Sequence, residues 1–234
     1  MHRFLAPVVS WMVWLACVLS LPAFAQAGAM RPYVQPDSST VPKPPSIKRV
    51  ELVPLGNRVP AELDGIVTVL AERFPGLDIR LKGIQPLPDG TYSKRREQVI
   101  WDELLPKLPT AQGTLYVINE DLGANGANFM YAIYDLPTAR AVASVSRMRS
   151  LEGLSMPRDT RLEGEALELA RFRLQNQLTS SIAKLMGMSF PCHAPVCVLR
   201  APVRIQHIDL KSTHFCAKHK AEFAKLAKER KLRR

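Results

Sequence analysis

Apolar residues recur with two different periods along the chain from residue 47 onward. Residues 47–55 carry an apolar side chain at every second position, which predicts a β-strand. Residues 60–74 and the longer stretch 167–185 repeat apolar residues every three or four positions, which predicts helices, and Gly187 is placed to end the second. The same patterns predict strands over 77–81, 113–118, 128–134 and 139–148, and helices over 93–108 and 214–231. This alternation predicts a single α/β domain.

The first 45 residues differ from the rest. Residues 1–25 combine a short basic start, a broken apolar run and a small-residue cleavage signature that ends at Ala25, which is the organisation of a secretory signal peptide. The alternatives are an uncleaved membrane anchor and lipidation at Cys17. Residues 26–45 are rich in proline and predict an extended linker. We therefore expect a periplasmic or secreted protein, with a folded domain over residues 46–222 and a basic tail over residues 223–234.

The positive charge of the chain is concentrated near its end. The formal net charge is +11, and 47% of the 234 residues are hydrophobic, a composition that excludes a disordered or fibrous protein. Residues 211–234 hold nine Lys or Arg against two Glu, a net +7. Aromatic residues hardly interleave with these charges, so we expect no nucleic-acid partner. The simplest interpretation is a solvated helix face, and the alternative is binding to an anionic membrane surface or an acidic partner.

The cysteines of the second half have a spacing typical of a metal site. Cys192, Cys197, Cys216 and His219 form the pattern C-x4-C-x18-C-x2-H. Thiolates and imidazole are the usual ligands of a structural zinc ion, and the short final spacing at a helix start would let both side chains reach one ion. The competing interpretation is a Cys192–Cys197 disulfide with Cys216 left free, which an oxidising compartment would favour.

The residues around these cysteines resemble the archaemetzincins, zinc metallopeptidases with the pattern HExxHxxGxxHC, a following CxM and a later CxxC. Four upstream segments fall in the family's order and are similar to its R-x-Q, D-L, N-F-V-F and S-x-x-R-L segments. They are Arg96-Glu97-Gln98, Asp121-Leu122, Asn128-Phe129-Met130-Tyr131 and the stretch 143–149. The resemblance covers residues 90–225 and implies a mixed sheet, a long active-site helix, a catalytic zinc and a second, structural zinc on four cysteines.

When the family's motif residues are carried over one by one, the catalytic zinc site is lost and the structural zinc site is kept. With Gly187 as the motif glycine, the three catalytic histidines fall at Ser180, Lys184 and Phe190, and the general-base glutamate falls at Ser181. None of these four side chains can activate a zinc-bound water. The structural site keeps three cysteines and gains His219, and Leu199 replaces the methionine of the CxM segment.

The sequence offers two substitute sites for catalysis. The remaining histidines of the exported part, His193, His207 and His214, could assemble another zinc centre, although solvated loop histidines are the simpler interpretation. Ser180-Ser181 could hold a nucleophile, but no G-x-S-x-G elbow accompanies it.

The sequence therefore predicts an exported, archaemetzincin-like protein with one structural zinc and no catalytic zinc, which binds a peptide or protein. The alternatives are a divergent zinc metallopeptidase with an unrecognised ligand set, and an envelope-surface binding module that acts through the basic tail.

Overall fold

The computed structural model describes residues 44–232. The predicted signal peptide and nearly all of the predicted linker lie outside these residues. Within them, no helix is both long and apolar enough to cross a membrane.

Eight strands form two sheets. The strands are β1 (Arg49–Leu55), β2 (Asp78–Leu81), β3 (Tyr92–Ser93), β4 (Gln98–Ile100), β5 (Thr114–Ile118), β6 (Asp121–Gly123), β7 (Ala132–Asp135) and β8 (Arg140–Ser144). The main sheet has the order β2-β1-β5-β8-β7, in which β7 alone is antiparallel to its neighbour. The small sheet has the order β3-β4-β6. The predicted mixed α/β architecture is confirmed.

Both faces of the main sheet are covered. The helices are α1 (Ile66–Arg73), α2 (Trp101–Leu104), α3 (Gly164–Leu185), α4 (Ile205–Asp209) and α5 (Ala217–Glu229). Alternate residues of β5 face opposite sides: Leu115 and Val117 join the apolar cluster that includes α3 and α5, whereas Tyr116 and Ile118 join the one that includes α2. The long helix α3 is therefore internal, and its second half runs through the larger core.

The helix predicted over residues 93–108 is wrong in its first half, and only residues 101–107 are helical. The segment begins with the β3–β4 hairpin, continues as the single turn α2, and ends in a short 3-10 turn. Glu97 has a φ of 53°, a left-handed conformation that an α-helix does not contain. The side chain of Gln98 donates to Asp121 and to the carbonyl of Asn128, and these bonds hold β4 in the small sheet. Long-range pairing thus overrides the local helical pattern.

Smaller differences have local causes. The helix predicted over 60–74 is divided by Gly65, whose φ of 67° separates a 3-10 turn from α1. The strands predicted over 128–134 and 139–148 are shorter than expected, because only residues 132–135 and 140–144 take part in strand pairing. Strand β6 and helix α4 were not predicted, since both are too short to show a period.

The boundary predicted between the domain and the basic tail falls inside α5. Phe223 and Leu226 on this helix are buried in the main core. The guanidinium group of Arg230 is also internal and donates to the carbonyls of Met186 and Ile47, at 2.6 and 3.3 Å. The domain therefore extends at least to Arg230. The lysines on the outer face of α5 are exposed, and surface binding through them stays a prediction.

Candidate zinc site and the cleft beside the long helix

The four residues predicted to hold zinc converge in the structure. The three sulfurs and one imidazole nitrogen of Cys192, Cys197, Cys216 and His219 all lie within 4.8 Å of one another. Cys192 and Cys197 lie in the loop after α3, Cys216 is the residue immediately before α5, and His219 lies in its first turn. The group thus connects the end of the internal helix to the start of the final one.

The separations suit a tetrahedral ion. The Sγ atoms of Cys192 and Cys216 are 3.9 Å apart, and Nδ1 of His219 lies 3.1 Å from Sγ of Cys216 and 3.6 Å from Sγ of Cys197. With Zn–S bonds of about 2.3 Å, tetrahedral geometry sets ligand sulfurs roughly 3.8 Å apart. Three thiols and one imidazole are a donor set that zinc favours, so the residues fit the ion, and Zn²⁺ is the cofactor that this site would hold.

The imidazole of His219 is oriented from its far side. Its Nε2 atom lies 3.0 Å from the carbonyl oxygen of Ser189 and 3.2 Å from the Ser189 hydroxyl. Glu222, one turn along α5, accepts from both the backbone N–H and the hydroxyl of Ser189, at 2.7 and 2.8 Å. A proton on Nε2 leaves Nδ1 free to bind a metal, which is the usual arrangement for a zinc-ligating histidine. Ser189 and Glu222 could not be predicted from the sequence, because their role depends on a contact between distant segments.

The local environment also favours ionisation of one of the thiols. A hydrogen bond from the backbone N–H of His219, at the start of α5, lowers the pKa of Cys216 to about 6. Burial raises the pKa of Cys197 to about 11, so this thiol is the harder one to ionise without a metal. The Cys197 sulfur nevertheless accepts from the backbone N–H of Cys216 at 3.5 Å. All three cysteines are free thiols.

The other three histidines do not form the substitute centre. His193 and His214 are exposed, and Nδ1 of His207 accepts from the backbone N–H of Val203 at 3.2 Å. Within residues 44–232, the Cys3His group is the only set of three or more such ligands that could share an ion.

Lys184 links three of the four predicted catalytic positions to one neighbour, because it contacts Phe190 and shares Tyr134 with Ser181. Ser180, Ser181 and Lys184 lie on the buried part of α3, and Phe190 lies in the loop that follows it. The Lys184 ammonium group lies 3.4 Å from the ring centroid of Phe190 and 4.0 Å from that of Tyr134 on β7. The Ser181 hydroxyl donates to the carbonyl of Gln177 at 2.8 Å and lies 3.3 Å from the Tyr134 hydroxyl. Tyr134 was not predicted, because nothing local marks it.

The charge in this cleft is a cation without a carboxylate partner. Lys184 is 8% exposed, and no acid within residues 44–232 forms an ion pair with it. Burial lowers its pKa well below the ordinary value, and the positive charge of Lys211 lowers it further. The faces of two aromatic rings offset part of this cost, since each attracts an ammonium group. Burial likewise raises the pKa of Tyr134 to about 12, so its hydroxyl stays protonated.

The upstream segments that resemble the family also meet in space. Arg96 donates to Gln98 and to the carbonyl of Ala127, at 3.0 and 2.6 Å. Arg147 makes two hydrogen bonds to Asp121, at 2.9 and 2.7 Å, and its guanidinium carbon lies 3.9 Å from the ring centroid of Phe129. These contacts therefore hold the loop that leads from β6 into β7.

Similar proteins are found by sequence. The chain is 28% identical over 174 residues to an archaemetzincin of Archaeoglobus fulgidus, an alignment that covers 74% of this chain and 91% of the relative. It is 29% identical over 134 residues to an archaemetzincin of Methanopyrus kandleri, covering 56% of this chain and 68% of the relative. No protein-family model matches the chain.

Solved structures are similar as well. The crystal structure of the M. kandleri archaemetzincin matches with a TM-score of 0.62 and 25% identity, over 83% of this chain and 99% of that one. The A. fulgidus archaemetzincin, crystallised with malonate, matches with a TM-score of 0.57 and 25% identity, over 74% and 99%. A zinc-dependent peptidase of Methanocorpusculum labreanum shares the fold, with a TM-score of 0.59 and 18% identity over 74% and 99%. By sequence and by fold, the chain is therefore similar to the archaemetzincins, whose mixed α/β fold it shares.

Proposed function

We propose that this chain is an exported, non-catalytic archaemetzincin that keeps one structural zinc and binds peptides in the cleft between β7 and α3. The observation that carries the proposal is the position of Lys184, whose ammonium group is enclosed by Tyr134 and Phe190 at 4.0 and 3.4 Å. In the register set by Gly187, this lysine and this phenylalanine replace two of the three zinc-binding histidines of the family.

The electrostatics of the cleft support the loss of catalysis. While Lys184 is protonated, its ammonium group about 4 Å from a divalent cation would meet a repulsion of roughly 8 kcal/mol at an effective dielectric constant of 20. Ser180 and Phe190 offer no ligand strong enough to overcome it, and Ser181 cannot take a proton from a zinc-bound water. The structural site has the opposite character, because its four donors converge and its histidine is oriented by hydrogen bonds.

The metal content of the purified full-length chain tests this proposal. We expect one zinc per chain by elemental analysis and no chelator-sensitive cleavage of a fluorescent casein substrate. The divergent peptidase, the alternative function, requires a second zinc and measurable cleavage. Either result would overturn the proposal.

A gain-of-site variant tests the register itself. The quadruple variant S180H/S181E/K184H/F190H rebuilds the family's ligand pattern around Gly187, so we expect it to bind two zinc ions where the unmodified chain binds one. A matched control that keeps the lysine, S180H/S181E/F190H, should still bind one. A quadruple variant that folds but gains no zinc would contradict the assigned register.

The edge of the main sheet supports the peptide-binding part of the proposal. β7 is an edge strand of the main sheet. The N–H of Ser144 donates to the carbonyl of Tyr131, so these two residues form a hydrogen-bonded pair. From there, hydrogen-bonded and non-hydrogen-bonded pairs alternate along β7 and β8. By this alternation, the backbone groups of Ala132 and Tyr134 point away from β8. Ala132 is 6% exposed, so an added strand would have to displace the groups that cover it. Within residues 44–232, no group outside the sheet bonds to them. An extended peptide can add to such an edge as a further strand, and Lys184 and its aromatic neighbours lie beside it.

Substitution of one backbone donor tests this edge. The variant A132P removes the outward N–H of Ala132, and we expect it to weaken binding of peptides from a tryptic digest of reduced, alkylated serum albumin at least tenfold. A132S keeps the N–H and should bind like the unmodified chain. Pull-down of the digest followed by mass spectrometry, then calorimetry with the strongest peptide, gives the measurement, and circular dichroism checks that A132P folds. Equal binding by A132P and A132S, or no bound peptide at all, would contradict binding by strand addition.

A further inference from the structure

Lys211 is a buried cation for which the described residues provide no partner. Its side chain is 3% exposed, and its Nζ atom makes no hydrogen bond. Lysine is almost never fully buried unless it is paired with an opposite charge, because removal of an ammonium group from water is costly. Such a group requires an explanation from its surroundings.

The backbone places Lys211 beside the zinc ligands. The N–H of Ser212, the next residue, donates to the carbonyl of Val196 at 2.7 Å, and the N–H of Val198 donates to the carbonyl of His214 at 3.2 Å. These two bonds align the segment that carries Lys211 with the segment that carries Cys197. Lys211 is therefore held next to the metal site, in the loop that leads from α4 to the ligand Cys216.

The neighbours of Lys211 are two cations and one group that can become an anion. Arg200 and Lys184 are cations and disfavour a second positive charge. Cys197 is the one neighbour among them that can become negative, and its thiolate favours the lysine ammonium. Without that thiolate, the two buried lysines at this point have no compensating anion, and the half-buried Arg200 adds a further positive charge nearby.

Binding of zinc would supply the missing charge. A zinc ion carries two positive charges and three thiolates carry three negative ones, so with a neutral imidazole the loaded centre has a net charge of minus one. We infer that Lys211 is the internal counter-cation of the zinc–thiolate centre, a positioning residue that stabilises the loaded site without binding the ion. This role accounts for an ammonium group that has no hydrogen-bond partner among the described residues and that is placed beside the most deeply buried thiol.

The test is the zinc affinity of the full-length chain, measured by competition with a chromophoric chelator. We expect K211M to weaken zinc binding at least tenfold, because a buried negative centre would lose its counter-charge. K220M, which removes an exposed lysine of α5 and changes the net charge by the same amount, should bind zinc within twofold of the unmodified chain. In the zinc-free protein we expect K211M to be stabilising. It should unfold at a higher denaturant concentration than the unmodified chain, since it removes an unpaired buried charge. Zinc affinity of K211M within twofold of the unmodified chain would overturn the inference.

A second background separates charge from packing. In C216H the loaded centre has two thiolates and two imidazoles and is neutral, so addition of K211M to this variant should change the zinc affinity less than threefold. An equal loss in both backgrounds would assign Lys211 a packing role and contradict the inference. If K211M does not fold, K211Q replaces it in both arms.

Discussion

Substitution of Cys197 by serine is expected to remove the structural zinc and to lower the free energy of unfolding by at least about 4 kcal/mol. Cys197 is 1% exposed, and its sulfur contacts both Nδ1 of His219 and the backbone N–H of Cys216. A serine hydroxyl is a poor zinc ligand, and it would leave a buried polar group among apolar neighbours. Structural zinc contributes about 10–16 kcal/mol of apparent binding free energy in small zinc-dependent peptides. This domain has two apolar clusters of its own, so we expect a smaller but still large loss.

Elemental analysis and guanidinium unfolding followed by circular dichroism measure the two effects. H193A is the matched control, because His193 is an exposed loop residue outside the ligand group, and it should keep both the zinc and the stability. Treatment of the unmodified chain with a chelator should reproduce the behaviour of C197S. A C197S protein that retains zinc, or that loses it with a change below 1 kcal/mol, would show that the site does not clamp the fold.

The acid sensitivity of the site follows from the same chemistry. Zinc binds thiolates, so protons compete with the metal as the pH falls. The Cys216 thiol, with a pKa of about 6, resists protonation longest, whereas the Cys197 thiol, with a pKa of about 11, depends on the metal for its charge. Zinc-dependent stability is therefore present at neutral pH and is lost on acidification.

The zinc ligands could be predicted from the sequence because their signal is local. Two of the four lie three residues apart at the start of α5, and the other two lie five residues apart in one loop, so short spacings already bring each pair together. The long helix and the central strands could be predicted for a similar reason, since their apolar periods persist over several turns or alternations.

The electrostatic surroundings of both sites could not be predicted in this way. Tyr134 reaches Lys184 only because β7 is folded against α3, and Lys211 lies beside Cys197 only because two loops pair through their backbones. The failed helix over residues 93–108 has the same origin. The side chains of Arg96 and Gln98 donate to carbonyls of a loop some thirty residues away. The apolar periodicity of one segment does not reveal such a contact.

Removal of the Glu62 carboxylate should destabilise the domain as strongly as loss of a metal ligand. Glu62 and Arg149 are each 2% exposed at the side chain, and they are joined by two hydrogen bonds of 2.6 and 3.1 Å. Arg149 also donates to Oδ1 of Asn119 at 2.7 Å. The E62A variant would leave a buried guanidinium group without its counter-charge, a change that costs about 3–5 kcal/mol in proteins. Denaturant unfolding of E62A gives the value directly.

A second ion pair in the same region provides the control. Arg171 and Asp64 are 3.4 Å apart, and the Asp64 side chain is 82% exposed, so solvent screens the pair and D64A should change the free energy of unfolding by less than about 1 kcal/mol. The double variant E62M/R149M replaces both charges with apolar side chains, and it should recover most of the stability lost in E62A, because the cost lies in the unpaired charge rather than in the absence of the pair. If E62A and D64A were equally mild, Arg149 would have to be reaching water or another acceptor after local rearrangement. If instead the double variant were no more stable than E62A, the effect would come from packing around residue 62.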